Sequence, residues 1–132
     1  MKPDRYLVDT SVWVRYFKGE EGLEERIKAL ILKDKVLTAG VIILEVLRGA
    51  RTEAGYNQLY LDFKSLPLLE ADEAVWEEGY RMGFKLRKAG IVVPMADILI
   101  AAIAVRHRSP LLHRDKHFVL IAQNTKLVQE QT

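Results

Sequence analysis

The stretch "YLVDTSVWVRYF", residues 6–17, sets the frame for the whole chain. Tyr6, Leu7 and Val8 form a short apolar run of strand character. Asp9-Thr10-Ser11 interrupts it with three polar residues. Val12, Trp13, Tyr16 and Phe17 then resume the apolar content at helical spacing. A strand that turns into a helix within three residues opens a β-α unit, and the acid at its junction falls at the strand's carboxyl end.

The alternation continues. A first strand is expected over Arg5 to Val8 and a helix over Val12 to Phe17, ended by Gly19. Leu23, Ile27, Leu30 and Ile31 mark one face of a helix over residues 21–34. Lys35 to Ala39 reads as a second strand, Val41 to Leu47 as an apolar helix, and Glu53 to Phe63 as another. Leu66 to Glu70 holds a third strand. Trp76, Tyr80, Phe84 and Arg87 are expected on the inner face of a helix over 72–89, with Gly90 at its C-terminus. Pro94 suits the first turn of a helix that runs to about His107. Pro110 to His113 reads as a fourth strand, and Lys126 to Val128 as a fifth. Short apolar strands alternating with helices predict an α/β fold with a mostly parallel sheet. Such a sheet binds ligands beyond the carboxyl ends of its strands, where the strand order reverses.

The bulk composition agrees. The 132 residues suit one domain, read here as 1–132, and 49% hydrophobic content is enough for a core. The formal net charge of +2 permits an acidic partner without demanding one. Cysteine is absent, which excludes disulfides and thiolate metal sites and fits a cytoplasmic protein. Met1-Lys2-Pro3-Asp4-Arg5 lacks the apolar run of a signal peptide. The longest apolar run, Ile98 to Val105, falls far short of a membrane span of roughly 18 residues.

Four acids fall at the edge where the fold rule places a site. Asp9 follows the first strand, and Glu45 lies in the helix after the second. Asp97 lies in the first turn of the helix opened by Pro94, and Asp115 follows the fourth strand. Each has an ordinary reading. Asp9 or Ser11 can cap the following helix, Asp97 can complement a helix dipole, Glu45 can pair with Arg48, and Asp115 can be a turn residue. Four acids brought together repel one another, by roughly 4 kcal/mol per pair at ~4 Å and an effective dielectric of about 20. They then require protonation, cations or a metal. An all-oxygen set selects a hard cation, Mg²⁺ or Mn²⁺. The matching chemistry is attack of an activated water on a phosphodiester.

On these residues the chain resembles PIN-domain nucleases of the VapC toxin type. The resemblance rests on Asp9 and Ser11 in "VDTSVW", Glu45 in "ILEVLRGAR", Asp97 in "PMADILIAA" and Asp115 in "LLHRDKHF", at successive acid spacings of 36, 52 and 18 residues. It implies a three-layer α/β/α domain and a Mg²⁺- or Mn²⁺-dependent endoribonuclease specific for single-stranded RNA. It also implies a toxin, usually a homodimer, held inactive by a cognate antitoxin. Asp9 and Asp97 would be the central metal ligands, with Glu45 and Asp115 completing the acidic set and Ser11 hydrogen-bonded within it. His113 departs from the pattern, since Thr, Ser or Asn often precedes "RD" in the family; at that position it could hydrogen-bond a phosphate or an acid.

Arg48, Arg51, Arg114 and Lys116 lie close to the acids in sequence and suit an RNA backbone, though each also fits a solvated face. Trp13, Tyr16 and Phe17 suit the core, and the resemblance adds an antitoxin groove on this face. Trp76, Tyr80 and Phe84 suit the core or a dimer contact. Two other readings compete. A metal-free ribonuclease would use His107, His113 or His117 as acid and base. A binding domain would keep the acidic pocket without catalysis, as an inactive PIN-like or a receiver-like module. The receiver pattern needs two adjacent acids after the first strand, and Thr10 follows Asp9.

Overall fold

The computed structural model describes residues 5–132; the N-terminal residues 1–4, part of the segment read as too polar for a signal peptide, lie outside them. Five strands form one sheet: β1 Tyr6–Val8, β2 Val36–Ala39, β3 Leu68–Leu69, β4 Leu111–His113 and β5 Gln129–Gln131. Seven helices connect them: α1 Thr10–Phe17, α2 Leu23–Leu32, α3 Gly40–Leu47, α4 Glu53–Lys64, α5 Glu73–Lys88, α6 Met95–Arg106 and α7 Lys116–Asn124. The sheet order is β3-β2-β1-β4-β5, and every pairing is parallel. Helices cover both faces, giving three α/β/α layers. The strand order reverses between β1 and β4, so the rule for parallel sheets directs attention to the carboxyl ends of these two strands. A receiver-type sheet runs 2-1-3-4-5, and this order differs from it.

Burial explains the strand sequences. Leu7, Val8, Ala39, Leu111 and Leu112 are completely buried, as expected of central strands covered on both faces. Side chains cap four of the seven helices. Asp9, Thr52, Asp72 and Asp115 each accept a backbone N–H from the helix they open. Gly19 and Gly90 take φ of 74° and 77° just beyond α1 and α5, where a Cβ would be strained.

Three expectations are corrected. The inner face of α5 is built from Val75, Met82 and Leu86, not from the aromatic stripe: Trp76, Tyr80 and Phe84 are 45%, 65% and 66% exposed, and Arg87 is exposed as well. The small residues decide this. A Cβ on Gly79 would lie 3.7 Å from Ala102 Cβ, and one on Gly83 3.7 Å from Ile98 Cδ1. The glycine face of α5 therefore lets α6 approach closely, and burial of α6 on that side leaves the aromatics outside. Second, the last strand is Gln129–Gln131 rather than Lys126–Val128. Leu127 is buried as its anchor, and the polar "QEQ" pairs only with β4 as a sheet edge. Third, α7 was not anticipated; Phe118 and Ile121 bury its inner side. Among the described residues no helix is long and apolar enough to cross a membrane.

Candidate active site

The β1–α1 junction places Asp9 at the reversal of strand order. Its N–H donates to Leu112 O at 2.9 Å, which ties it to β4. Its extended backbone makes it the N-cap of α1. Oδ2 accepts the Ser11 N–H at 2.9 Å and the Ser11 hydroxyl at 2.6 Å. The cap therefore belongs to the acid itself. Asp9 is only 4% exposed. Burial raises its pKa above the usual carboxylate value; the Ser11 bonds oppose this and the Glu45 charge adds to it.

Glu45 reaches the same edge from α3. Thr10 donates its hydroxyl to Glu45 Oε1 at 2.8 Å, so the first residue of α1 steers an acid 35 positions away. No Glu45–Arg48 ion pair forms among the described residues. Asp97 stands in the first turn of α6, as the sequence indicates. Burial raises its pKa to about 6, with Asp115 and Asp9 adding to the rise and His117 opposing it. These mutual effects place Asp9, Glu45, Asp97 and Asp115 in one electrostatic cluster.

Asp115 is the N-cap of α7 rather than a plain turn residue. Its Oδ1 accepts the His117 N–H at 2.9 Å. His117 Nδ1 donates to Asp97 Oδ2 at 3.0 Å and lies 3.3 Å from Asp115 Oδ1. His117 therefore belongs to the site, although the sequence suggested it only for metal-free catalysis. Its sequence signal is the Asp-x-His spacing at the start of an unforeseen helix. Asp97, Asp115 and His117 each offer a ligand atom, and these atoms all lie within 4.8 Å of one another. Two carboxylates and an imidazole in partly buried positions fit a divalent cation.

His113 does not reach this cleft. It is completely buried, and both ring nitrogens are engaged. Asp115 N–H donates to Nδ1 at 3.1 Å, which puts the proton on Nε2, and Nε2 donates to Gln129 Oε1. His113 thus supports Asp115 from beneath and is corrected as a substrate contact. His107 lies at the other end of α6 from Asp97 and bonds Glu70 O at 2.8 Å. Ten residues of helix separate it from the acid by about 15 Å, so His107 stands apart from the acidic cluster. Arg48, Arg51 and Lys116 are exposed. Arg114 pairs with Glu20 at 2.6 Å, and its N–H donates to Ser11 Oγ.

Comparison with known proteins identifies the family. Residues 6–124 match the family model described as "PIN domain". The chain is 32% identical over 126 residues to VapC ribonuclease Mb1587 of Mycobacterium bovis, covering 92% of this chain and 94% of that protein. Ribonuclease VapC4 of Mycobacterium tuberculosis is 33% identical over 123 residues, covering 89% and 92%. In structure the chain resembles VapBC2 from Rickettsia felis bound to a promoter DNA fragment, with TM-score 0.80, 16% identity and 96% and 98% coverage. VapBC-1 from nontypeable Haemophilus influenzae gives TM-score 0.79 at 18% identity, with 96% of each chain covered. A sheet whose reversal point gathers the four acids, matched along nearly its whole length to such relatives, places this chain in the PIN-domain family, on its VapC branch.

Proposed function

We propose that this chain is a divalent-metal-dependent endoribonuclease that hydrolyses single-stranded RNA, and that it serves as the toxin of a toxin–antitoxin pair. The observation that carries this reading is the convergence of Asp97, Asp115 and His117 ligand atoms within 4.8 Å, beside the buried Asp9. Asp9, Asp97 and Asp115 would hold Mg²⁺ or Mn²⁺, with Glu45 reaching it directly or through water. When bound, such an ion supplies charge neutralisation on a phosphodiester and a water of lowered pKa.

The chain's own residues do the rest. The Ser11 hydroxyl and N–H fix Asp9 in one orientation. Thr10 fixes Glu45, and His117 spans Asp97 and Asp115. Preset ligands bind without paying reorganisation at the moment of reaction. Arg48, Arg114 and Lys116 offset the acidic field and draw in an RNA backbone.

Two further surfaces suit the partners of this role. A cavity of about 300 Å³ lined by Trp13, Tyr16, Phe17, Ile31, Phe63 and Leu66, with Asp62 and Ser65 beside them, suits a largely apolar antitoxin segment. The exposed Trp76, Tyr80 and Phe84 stripe suits a homodimer contact. The resemblance to VapBC structures, a family of toxin–antitoxin systems, supports a paired antitoxin.

The test is cleavage of a single-stranded RNA by purified protein with Mn²⁺. Cleavage should stop with EDTA and in Asp97→Asn. Undiminished cleavage by Asp97→Asn, or in EDTA, rules the reading out.

A further inference from the structure

Arg114 directly precedes Asp115, yet its guanidinium is committed elsewhere. Nη2 donates to Glu20 Oε2 at 2.6 Å, and Nη1 lies 3.4 Å from Oε1. The same Oε1 is 3.4 Å from Arg15 Nη1, so one carboxylate spans two guanidinium groups. The Arg114 N–H donates to Ser11 Oγ at 2.9 Å, and Ser11 Oγ donates to Asp9 Oδ2 at 2.6 Å. An unbroken set of contacts thus joins Glu20 to the buried acid of the cleft.

A cavity of about 370 Å³ opens at this place, lined by Ser11, Val14, Arg15, Lys18, Glu20 and Arg114. Its walls carry three cations and one acid. Ser11, Val14, Arg15 and Lys18 recur at i, i+3, i+4 and i+7, so they form one stripe along α1. Val14, Arg15 and Lys18 are exposed. The helical rise sets Lys18 about 10 Å along the axis from Ser11, leading away from the cleft. Lys18 forms no ion pair among the described residues. Arg114 Nε is buried with no hydrogen-bond partner, so the guanidinium has a donor unused.

A forked guanidinium pairs with phosphate oxygens as well as with a carboxylate. Glu20 belongs to the short turn between Gly19 and Gly22, both at positive φ; its contact with Arg15 is exposed, while its pair with Arg114 is part-buried. The exposed contact is weak, and the Arg114 fork can exchange a carboxylate for phosphate oxygens without changing its geometry. We propose that this cavity is a phosphate subsite for the RNA backbone beside the acidic cleft, and that Glu20 fills it in the free protein as an internal counter-anion that RNA displaces. The proposal rests on the ribonuclease reading of the cleft. It adds Arg15 and Lys18 as substrate contacts and makes Glu20 a restraint on RNA affinity.

The test measures binding of a short single-stranded RNA by fluorescence anisotropy in the Asp97→Asn background, and cleavage kinetics in the wild-type background. Glu20→Gln should tighten binding about two- to fivefold, with the gain in KM rather than in kcat. Lys18→Ala should weaken binding and flatten the dependence of log Kd on log salt by roughly 0.7, one phosphate contact on a single strand. If Glu20→Gln leaves affinity unchanged, or lowers affinity and thermal midpoint together, the pair is a structural staple and the subsite is overturned. A wild-type protein that neither binds nor cleaves single-stranded RNA sinks the parent reading and the subsite together. Unchanged affinity of Glu20→Gln in a protein that does cleave sinks the subsite alone.

Discussion

His117 Nδ1 lies 3.0 Å from Asp97 Oδ2, which ties the start of α7 to the start of α6 across the reversal point of the sheet. The same nitrogen is 3.3 Å from Asp115 Oδ1. One imidazole therefore relieves part of the repulsion between two acids that burial has brought together. The repulsion left over has consequences that can be measured.

Asp97→Asn should abolish cleavage and yet stabilise the metal-free protein. The folded Asp97 has a pKa of about 6 against 3.8 for the free side chain, mainly because it is buried. Between these values the folded state holds a proton that the unfolded chain has released. Stability therefore falls as pH rises through that window, and above it the ionised acid is a standing cost. The variant should gain on the order of 1–2 kcal/mol at pH 7, allowing for partial solvent screening. The gain should shrink towards zero near pH 4. Urea unfolding at both pH values checks it, and a variant less stable than wild type at pH 7 contradicts the assignment.

Mn²⁺ should raise the thermal midpoint at pH 7.5 and do so much less at pH 5. A ligand that binds only the folded state stabilises by mass action, and protonated Asp97 competes with the ion at the lower pH. Calorimetric scans with and without Mn²⁺ measure both shifts. Asp9→Asn should diminish the shift at pH 7.5, and an equal shift in that variant would remove Asp9 from the ligand set.

Thr10→Val keeps the side chain's shape and removes the hydroxyl that holds Glu45. The loss should cost about 0.5–1.5 kcal/mol of stability. Cleavage should fall by roughly tenfold through loss of orientation. Steady-state kinetics beside an unfolding curve separate the two effects. Full activity with reduced stability would show that Glu45 needs no such guide.

His113→Ala should act on folding before it acts on catalysis. It removes a completely buried ring packed on Phe118, with centroids 5.2 Å apart, and orphans the Asp115 N–H and the Gln129 side chain. A loss of about 2–4 kcal/mol is expected from the cavity and the unpaired groups. Gln129→Ala should lose less, since the ring remains in place. A His113→Ala protein of normal stability that fails only in RNA binding would return this residue to the substrate.

Tyr80→Glu with Phe84→Glu should leave the fold intact and dissociate any dimer, because both side chains point outward at 65% and 66% exposure. Sedimentation of the wild type and the double variant at equal concentration reads the outcome. Identical sedimentation would remove the aromatic stripe from the interface.

The sequence made the frame legible because local pattern and local chemistry coincide there. Apolar runs of three or four residues ending in a cap or a helix start identify β1, β2 and β4 and set Asp9 and Asp115 beside strand ends, while Pro94 marks the helix start that holds Asp97. Gly19 and Gly90 mark helix ends because only a residue without Cβ takes a positive φ easily. Where two patterns share one helix, the sequence is ambiguous. In α5 the stripe Trp76-Tyr80-Phe84 and the stripe Val75-Gly79-Met82-Gly83-Leu86 have the same period, and hydrophobicity favours the wrong one. Close approach of α6 to Gly79 and Gly83 chooses between them. The polar β5 carries no apolar signal, because an edge strand is held by backbone pairing to β4.

The site divides in the same way. Residue order alone singles out the four acids: Asp9, Asp97 and Asp115 lie next to element boundaries, and Glu45 lies within α3. Their environment is a long-range property. Thr10 on Glu45, His117 between Asp97 and Asp115, His113 on Gln129 and Arg114 on Glu20 join residues separated by up to 94 positions. Sequence determined which residues stand at the carboxyl edge of the sheet. Only the packing of α1, α3, α6 and α7 around the β1–β4 junction decided which groups hold them there, because burial and hydrogen-bond direction are set by neighbours distant in the chain.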